Sequence, residues 1–167
     1  MGDFAEIYRQ HSQNVFKYLL FLTGDYLLSE ELLQETFYQA FKSIHRFKGN
    51  SKLSTWLYQI AKHVYLKHQR RKKSLPLNDN QTLTVENLTP EIIFEVREDY
   101  STLYQAVNQL NDPYNEVVIL RGLNELSFRE IGNIFDKNEN WARVTFYRAK
   151  LQLRKILKEA DHFENGL

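Results

Sequence analysis

The sequence contains no cysteine. Disulfides, thiolate metal sites and cysteine nucleophiles are therefore excluded, and a chain without thiols fits a reducing cytosol. No apolar run approaches the roughly 20 residues that cross a bilayer, and the opening "MGDFAEIYRQH" lacks the basic-then-apolar layout of a signal peptide. A soluble, intracellular protein is expected. The five histidines, His11, His45, His63, His68 and His162, form no HExxH and no close ligand pair with an acid at metal spacing, and His63 and His68 fall off one helical face. There is no phosphate-cradling glycine loop and no nucleophile elbow. Catalytic residues, cofactors and metals are accordingly not expected, and the chain reads as a non-enzyme.

Net charge is also nearly missing, at +1, which argues against a protein that simply coats nucleic acid. The small total hides segregation. "KHVYLKHQRRKK" carries Lys62, Lys67, Arg70, Arg71, Lys72 and Lys73 with no acid, whereas "DYLLSEELLQE" carries Asp25, Glu30, Glu31 and Glu35 with no base. The last long segment is basic again, with Lys137, Arg143, Arg148, Lys150, Arg154, Lys155 and Lys158 against Glu139. Separate acidic and basic surfaces imply at least two partners of opposite charge.

What is present is helical periodicity. Phe4, Ile7, Tyr8, His11, Val15, Tyr18, Leu19 and Leu22 recur at three- and four-residue steps and place one stripe on a core, with "TGD" ending that helix. Ser29 stands where an N-cap belongs, ahead of Glu30 and Glu31, and Leu32, Leu33, Phe37, Ala40, Phe41 and Ile44 form the stripe of a second helix ending near His45. "RFKGNSKLS" reads as a loop leading to Ser54 or Thr55 as the cap of "WLYQIAKHVYLKHQRRKK". Two of the only three prolines then fall in "SLPLNDNQTLTVENLTPEI", a polar, non-periodic stretch that marks a linker. Helical pattern resumes near Glu91, breaks at "NDP" and continues through "YNEVVILRGL", with Pro113 in a first turn after a cap at Asn111 or Asp112.

The C-terminal stretch "LSFREIGNIFDKNENWARVTFYRAKLQLRKIL" carries the first motif. Ser127 and Glu130 make a capping box that starts one helix. Ile131, Ile134 and Phe135 are expected to face inward, with Gly132 where a crossing helix needs a small residue. A turn at "DKN" and a cap at Asn138 or Asp136 have the spacing of a helix-turn-helix. In its second helix Ala142, Val144, Phe146, Ala149 and Leu153 supply packing positions, while Arg143, Tyr147, Arg148 and Lys150 remain for an exposed face. Guanidinium groups there suit guanine edges or phosphates; a solvated cationic helix is the plainer alternative.

A second constellation joins Trp56 and Tyr58 to the cations on either side. Aromatic rings beside positive charge suit unstacked single-stranded bases, although Trp56 taken alone reads as core. The acidic helix offers Glu31, Gln34, Glu35 and Gln39 either as a solvated face or as a protein docking surface.

The order of these features resembles the extracytoplasmic-function sigma factors, small bacterial initiation factors with only regions 2 and 4. "LLQETF", "STWLYQIA" and "SFREIG" occur in the family's order and spacing, and the resemblance covers nearly the whole chain. It implies an all-α fold of two small helical domains: a region 2-like domain over 1–74, a flexible linker over 75–92, a region 4-like helix-turn-helix domain over 93–161 and a tail over 162–167. It further implies that Glu31, Leu32, Gln34, Glu35 and Phe37 bind the clamp helices of the largest subunit of core RNA polymerase, with the flap of the second-largest subunit as a further contact. Lys48, Asn50, Ser51, Lys52, Ser54 and Trp56 would capture a flipped base of the −10 promoter element, and Lys62, Arg70 and Arg71 would hold nearby DNA backbone. Arg143, Thr145, Tyr147, Arg148, Lys150 and Arg154 would read or grip the −35 element. An inhibitory anti-sigma partner, in this family often membrane-bound, is implied as well. The chain departs from the family at Asn140, Trp141, Ala142 and Thr145, so the −35 sequence does not carry over. The rival expectation is a helix-turn-helix regulator whose N-terminal helices dimerise, and a nucleic-acid-processing enzyme is the more distant one.

Overall fold

The computed structural model describes residues 3–74 and 98–165. The expected linker, together with residues 93–97 of the helical pattern, lies outside them. The chain divides into two compact units, Met1–Thr89 and Pro90–Leu167, and among the described residues every regular element is helical.

In the first unit α1 (Phe4–Thr23) begins at Asp3, whose carboxylate accepts from the Ala5 amide at 3.1 Å, and closes at Gly24, whose amide donates to the Leu20 carbonyl at 2.8 Å. Helix α2 (Tyr26–Ser43) starts four residues earlier than a cap at Ser29 implies. Asp25 is its cap, accepting from the Leu28 amide at 3.1 Å. Ser29 instead lies buried inside the first turn, its hydroxyl 2.6 Å from the Asp25 carbonyl and 2.7 Å from the Thr23 hydroxyl. A polar residue at a helix start can be satisfied from within the helix as well as from its cap, which is why the signal was off by one turn. A short 3₁₀ turn, Ile44–Arg46, then leads to α3 (Leu53–Ser74).

Val15, Tyr18 and Leu19 of α1, Leu32, Leu33, Phe37 and Ala40 of α2, and Leu57, Tyr58 and Ala61 of α3 form the core of this bundle. The Tyr18 and Tyr58 rings meet edge to face at 5.4 Å. Burial on α1 also holds the His11 imidazole below its ordinary pKa. Phe41, expected in the core stripe, is 60% exposed and rests against Phe4 with ring centres 5.2 Å apart.

Neither Ser54 nor Thr55 caps α3. The first helical bond runs from the Trp56 amide to the Lys52 carbonyl at 3.1 Å, so both residues are already inside the first turn. Thr55 is fully buried and its hydroxyl has no hydrogen-bond partner. An unsatisfied buried hydroxyl costs roughly 1–3 kcal/mol. Thr55→Val keeps the shape and removes the hydroxyl, so it should stabilise the protein by about 1 kcal/mol, read as a higher midpoint in denaturant with an unchanged slope.

In the second unit α4 (Glu98–Asn108) precedes α5 (Tyr114–Val118), which widens into a π-helical turn over Ile119–Leu123. Pro113 occupies the cap position of α5 and not its first turn; the Asn111 carbonyl accepts from the Tyr114 amide at 2.9 Å. Helices α6 (Phe128–Ile134) and α7 (Glu139–Asn165) complete the unit. Its core gathers Ala106, Val107, Leu110, Val117, Ile119, Leu120, Ile131, Ala142 and Ala149.

Candidate functional site

Three surfaces collect the residues singled out above, two on the first unit and one on the second. The smallest is a pocket of about 180 Å³ lined by Arg46, Phe47, Lys48, Asn50, Ser51 and Trp56. Its loop turns at Gly49, where φ is +75°, a conformation open to glycine at little cost. Trp56 is half-buried and stacks obliquely on Phe47 with ring centres 5.2 Å apart. The indole is therefore a pocket wall and not part of the bundle core. Arg46 and Phe47 were not anticipated, because the end of α2 and the loop appear contiguous in sequence, whereas the 3₁₀ turn re-aims these two side chains toward Trp56. Lys48, Asn50 and Ser51 join the pocket; Lys52 and Ser54 are not among its lining residues. Lys62 lies six residues beyond Trp56 along α3, about 9 Å at 1.5 Å per residue, and Arg70 is about 21 Å away on the same count. At about 100° per residue Arg70 falls roughly 40° from Trp56 around α3, whereas Lys62 and Arg71 lie on opposite sides of the helix, Arg71 on the wall of a second surface.

The second surface is an open groove of about 870 Å³ between α2 and α3. One wall carries Glu31, Gln34, Glu35 and Tyr38, the other His63, Lys67, His68 and Arg71. The acidic and basic runs, separated in sequence by the end of α2, a loop and the start of α3, therefore share one concavity. Glu31, Gln34 and Glu35 are exposed, and Glu35 accepts from the Gln39 amide group at 2.7 Å. Leu32 and Phe37 are buried instead, with Phe37 packed against Tyr8 at 4.8 Å between ring centres. They hold α2 in place, and its exposed surface combines Glu31, Gln34 and Glu35 with Leu27, Tyr38 and Phe41.

On the second unit the capping box forms as expected. The Glu130 amide donates to the Ser127 hydroxyl at 3.1 Å and the Ser127 amide to the Glu130 carboxylate at 2.7 Å. Asn138, one of the two anticipated caps, starts α7 by accepting from the Trp141 amide at 2.7 Å. Asp136, the other, takes the turn itself, with φ at +55°. Gly132 lies against the turn so closely that a Cβ there would stand 2.7 Å from the Lys137 carbonyl oxygen and 2.9 Å from that of Asn138. Helices α6 and α7 pack on each other through this contact and through Phe128 and Phe146, 5.7 Å apart. Arg121 braces the pair, over the Phe128 ring at 4.3 Å and donating to the Leu126 carbonyl at 3.0 Å. The result is a helix-turn-helix with α7 as its second, outward helix.

Residues 7–75 match the Sigma-70 region 2 family and residues 100–153 match the Sigma-70, region 4 family. Over 163 residues the chain is 32% identical to the RNA polymerase sigma factor YlaC of Bacillus subtilis, covering 95% of this chain and 94% of that one. It is 31% identical to the ECF RNA polymerase sigma factor SigM of the same organism, covering 90% and 93%. The chain is an extracytoplasmic-function sigma factor of the sigma-70 family. As such it binds core RNA polymerase and directs transcription initiation at specific promoters, and the alternative of a separate DNA-binding regulator is not favoured. The sigma factor shares its fold with RpoE of Bartonella quintana, solved with the anti-sigma factor NepR, at a TM-score of 0.72 and 19% identity over 95% of this chain and 98% of that one. It also shares it with CnrH, solved with the cytosolic domain of CnrY, at 0.70 and 16% over 93% and 88%.

In this sigma factor the exposed face of α7 differs from the expected set in two places. Thr145 is buried and lies at the floor of a pocket it shares with Pro113, Tyr114, Val144 and Arg148, not on the exposed face. Val144, expected to pack inward, is exposed. Arg143, Tyr147, Arg148, Lys150 and Arg154 are exposed as anticipated. Arg143 pairs with Glu139 at 2.9 Å and lies 5.4 Å from the Phe128 ring, an exposed pairing worth only about 0.3–0.5 kcal/mol and readily exchanged for a phosphate. No helix among the described residues is long and apolar enough to cross a membrane.

Proposed function

We propose that the first unit docks on core polymerase and captures a melted −10 base, while the second holds the −35 duplex. The observation that carries this is the Trp56 pocket. At about 180 Å³ it is smaller than the roughly 300–1,000 Å³ of small-molecule sites, and an indole beside Arg46 and Lys48 suits one unstacked base and its phosphate. Lys62, Arg70 and Arg71 place further positive charge on α3, where cations neutralise backbone phosphates and make binding salt-dependent. The polar outer face of α2, with Glu31, Gln34 and Glu35, is the docking surface for the clamp helices of the largest polymerase subunit. The flap of the second-largest subunit serves region 4. The cost of unstacking, a few kcal/mol, is offset by base capture and backbone contacts. No bond is made or broken by this chain; RNA synthesis belongs to the polymerase, and the protein works in the cytoplasm where the polymerase is. The groove between α2 and α3, with charge of both signs, also suits an anti-sigma partner that competes with polymerase, whether soluble or membrane-held.

Run-off transcription with core polymerase, with and without this protein, tests the whole proposal: promoter-specific transcripts should appear only when it is added. Glu31→Lys combined with Glu35→Lys should weaken the 1:1 complex with core at least tenfold without altering the melting temperature. An unchanged complex would mean that α2 is not the docking surface.

A further inference from the structure

The outward face of α7 is apolar along its middle. Ala142 and Ala149 are fully buried and mark the side turned to the core. Counting about 100° per residue from Ala142, Val144, Tyr147 and Leu151 fall roughly 200°, 140° and 180° around the helix, opposite the core. Their exposures are 37%, 62% and 48%. On one flank, at about 100° and 80°, stand Arg143 and Lys150; on the other, at about 240°, stands Arg148. A solvated helix face normally carries its charges in the middle and its apolar residues at the margins. Here the order is reversed, with an apolar strip between cationic borders.

That layout matches the major groove of duplex DNA, whose rims are phosphate and whose floor presents one apolar group, the 5-methyl of thymine. The strip from Val144 to Leu151 spans about 10 Å along the helix axis, close to three base-pair steps of 3.4 Å. We infer that Val144 and Tyr147 read thymine methyl groups in the −35 duplex, while Arg143, Lys150 and Arg148 hold the two phosphate rims. Val144 is thereby a specificity residue, although the bases it selects carry no hydrogen bond to it. Asn140, exposed one turn before Val144, suits the adenine of an adjacent A·T pair through its carboxamide. The inference rests on the promoter-binding reading of this unit, and charge complementarity between the cationic borders and phosphate selects DNA as the occupant over an uncharged protein surface.

The test uses holoenzyme assembled from core polymerase and the full chain, on a promoter mapped from its transcript start. Each −35 thymine is replaced in turn by uracil, which removes the methyl and leaves every hydrogen-bonding group in place. At one or two positions uracil should weaken the closed complex about fourfold, the value of one buried methyl. That penalty should vanish in Val144→Ala or Tyr147→Ala holoenzyme at the position each residue reads, while the melting temperature stays unchanged in Tyr147→Ala, whose side chain is 62% exposed, and falls only slightly in Val144→Ala, whose side chain also touches a pocket with Pro113, Tyr114 and Trp141. Holoenzyme that keeps its promoter preference yet binds uracil and thymine duplexes alike overturns this inference alone. A uracil penalty that survives in both variants, with weakened assembly on core, makes the strip a protein contact and also overturns it. Holoenzyme with no promoter preference defeats the promoter reading and this inference with it.

Discussion

Replacing Gly132 with alanine is expected to destabilise the second unit by about 1–3 kcal/mol, the cost of overpacking a filled site, and to abolish −35-dependent transcription. The new Cβ would meet the Lys137 and Asn138 carbonyl oxygens at 2.7 and 2.9 Å and the Asn138 carbonyl carbon at 3.0 Å. All three are backbone atoms in a turn that cannot yield cheaply. The Lys137 amide donates to the Gly132 carbonyl at 2.8 Å, and Asn138 caps α7 through the Trp141 amide. Relief of the clash therefore requires α6 and α7 to separate, which tilts the helix proposed to face DNA. Denaturant unfolding should show a lowered midpoint for the second unit, and run-off assays should show lost preference among −35 sequences with core binding retained. Gly122→Ala supplies the control. A Cβ there meets nothing within 4 Å, so its effect should stay within about 0.5 kcal/mol. Equal effects at the two glycines would show that the close approach at Gly132 is not what holds the turn.

Trp56→Ala should reduce promoter melting about 5- to 150-fold, corresponding to the roughly 1–3 kcal/mol that aromatic stacking contributes per base. Trp56 is only half-buried and its chief ring neighbour is Phe47, so the bundle should remain folded, which circular dichroism would verify. The defect belongs to one step. Closed complexes on duplex promoter should form normally, permanganate-reactive thymines in the −10 region should be lost, and a template already mismatched through −10 should restore much of the activity. Trp56→Phe should retain part of it, since a smaller ring still stacks. A variant that melts promoters as well as the parent would remove Trp56 from base capture. One that loses core binding would make the indole structural.

The two experiments probe different dependences on salt. In the proposed complex base capture by the indole is a stacking contact, whereas Lys62, Arg70 and Arg71 act on phosphates, a contribution that weakens as counterions compete. Raising ionic strength should therefore lower the affinity of parent and Trp56→Ala holoenzyme in parallel, with the ratio between them nearly constant.

Helix content, the capping box at Ser127 and Glu130 and the turn before Asn138 were determined by the sequence itself, because each depends on residues within about four positions of one another; the segregation of charge is read directly from the order of residues. Local hydrogen bonds and 3.6-residue periodicity need no tertiary information. Helix starts were less legible. Ser29 and Thr55 have the chemistry of caps, yet the chain enters α2 and α3 earlier and buries both. Only tertiary structure decided which face of each helix is free. It placed Leu32 and Phe37 in the core beneath the exposed Glu31, Gln34 and Glu35, left Thr145 buried and Val144 at the surface, and brought Arg46 and Phe47 beside Trp56. The physical reason is that periodicity fixes the spacing of a stripe and not its phase. A shift of one residue rotates a side chain by about 100°, and what sets that rotation is the packing of a neighbouring helix, such as Gly132 of α6 against the turn before α7.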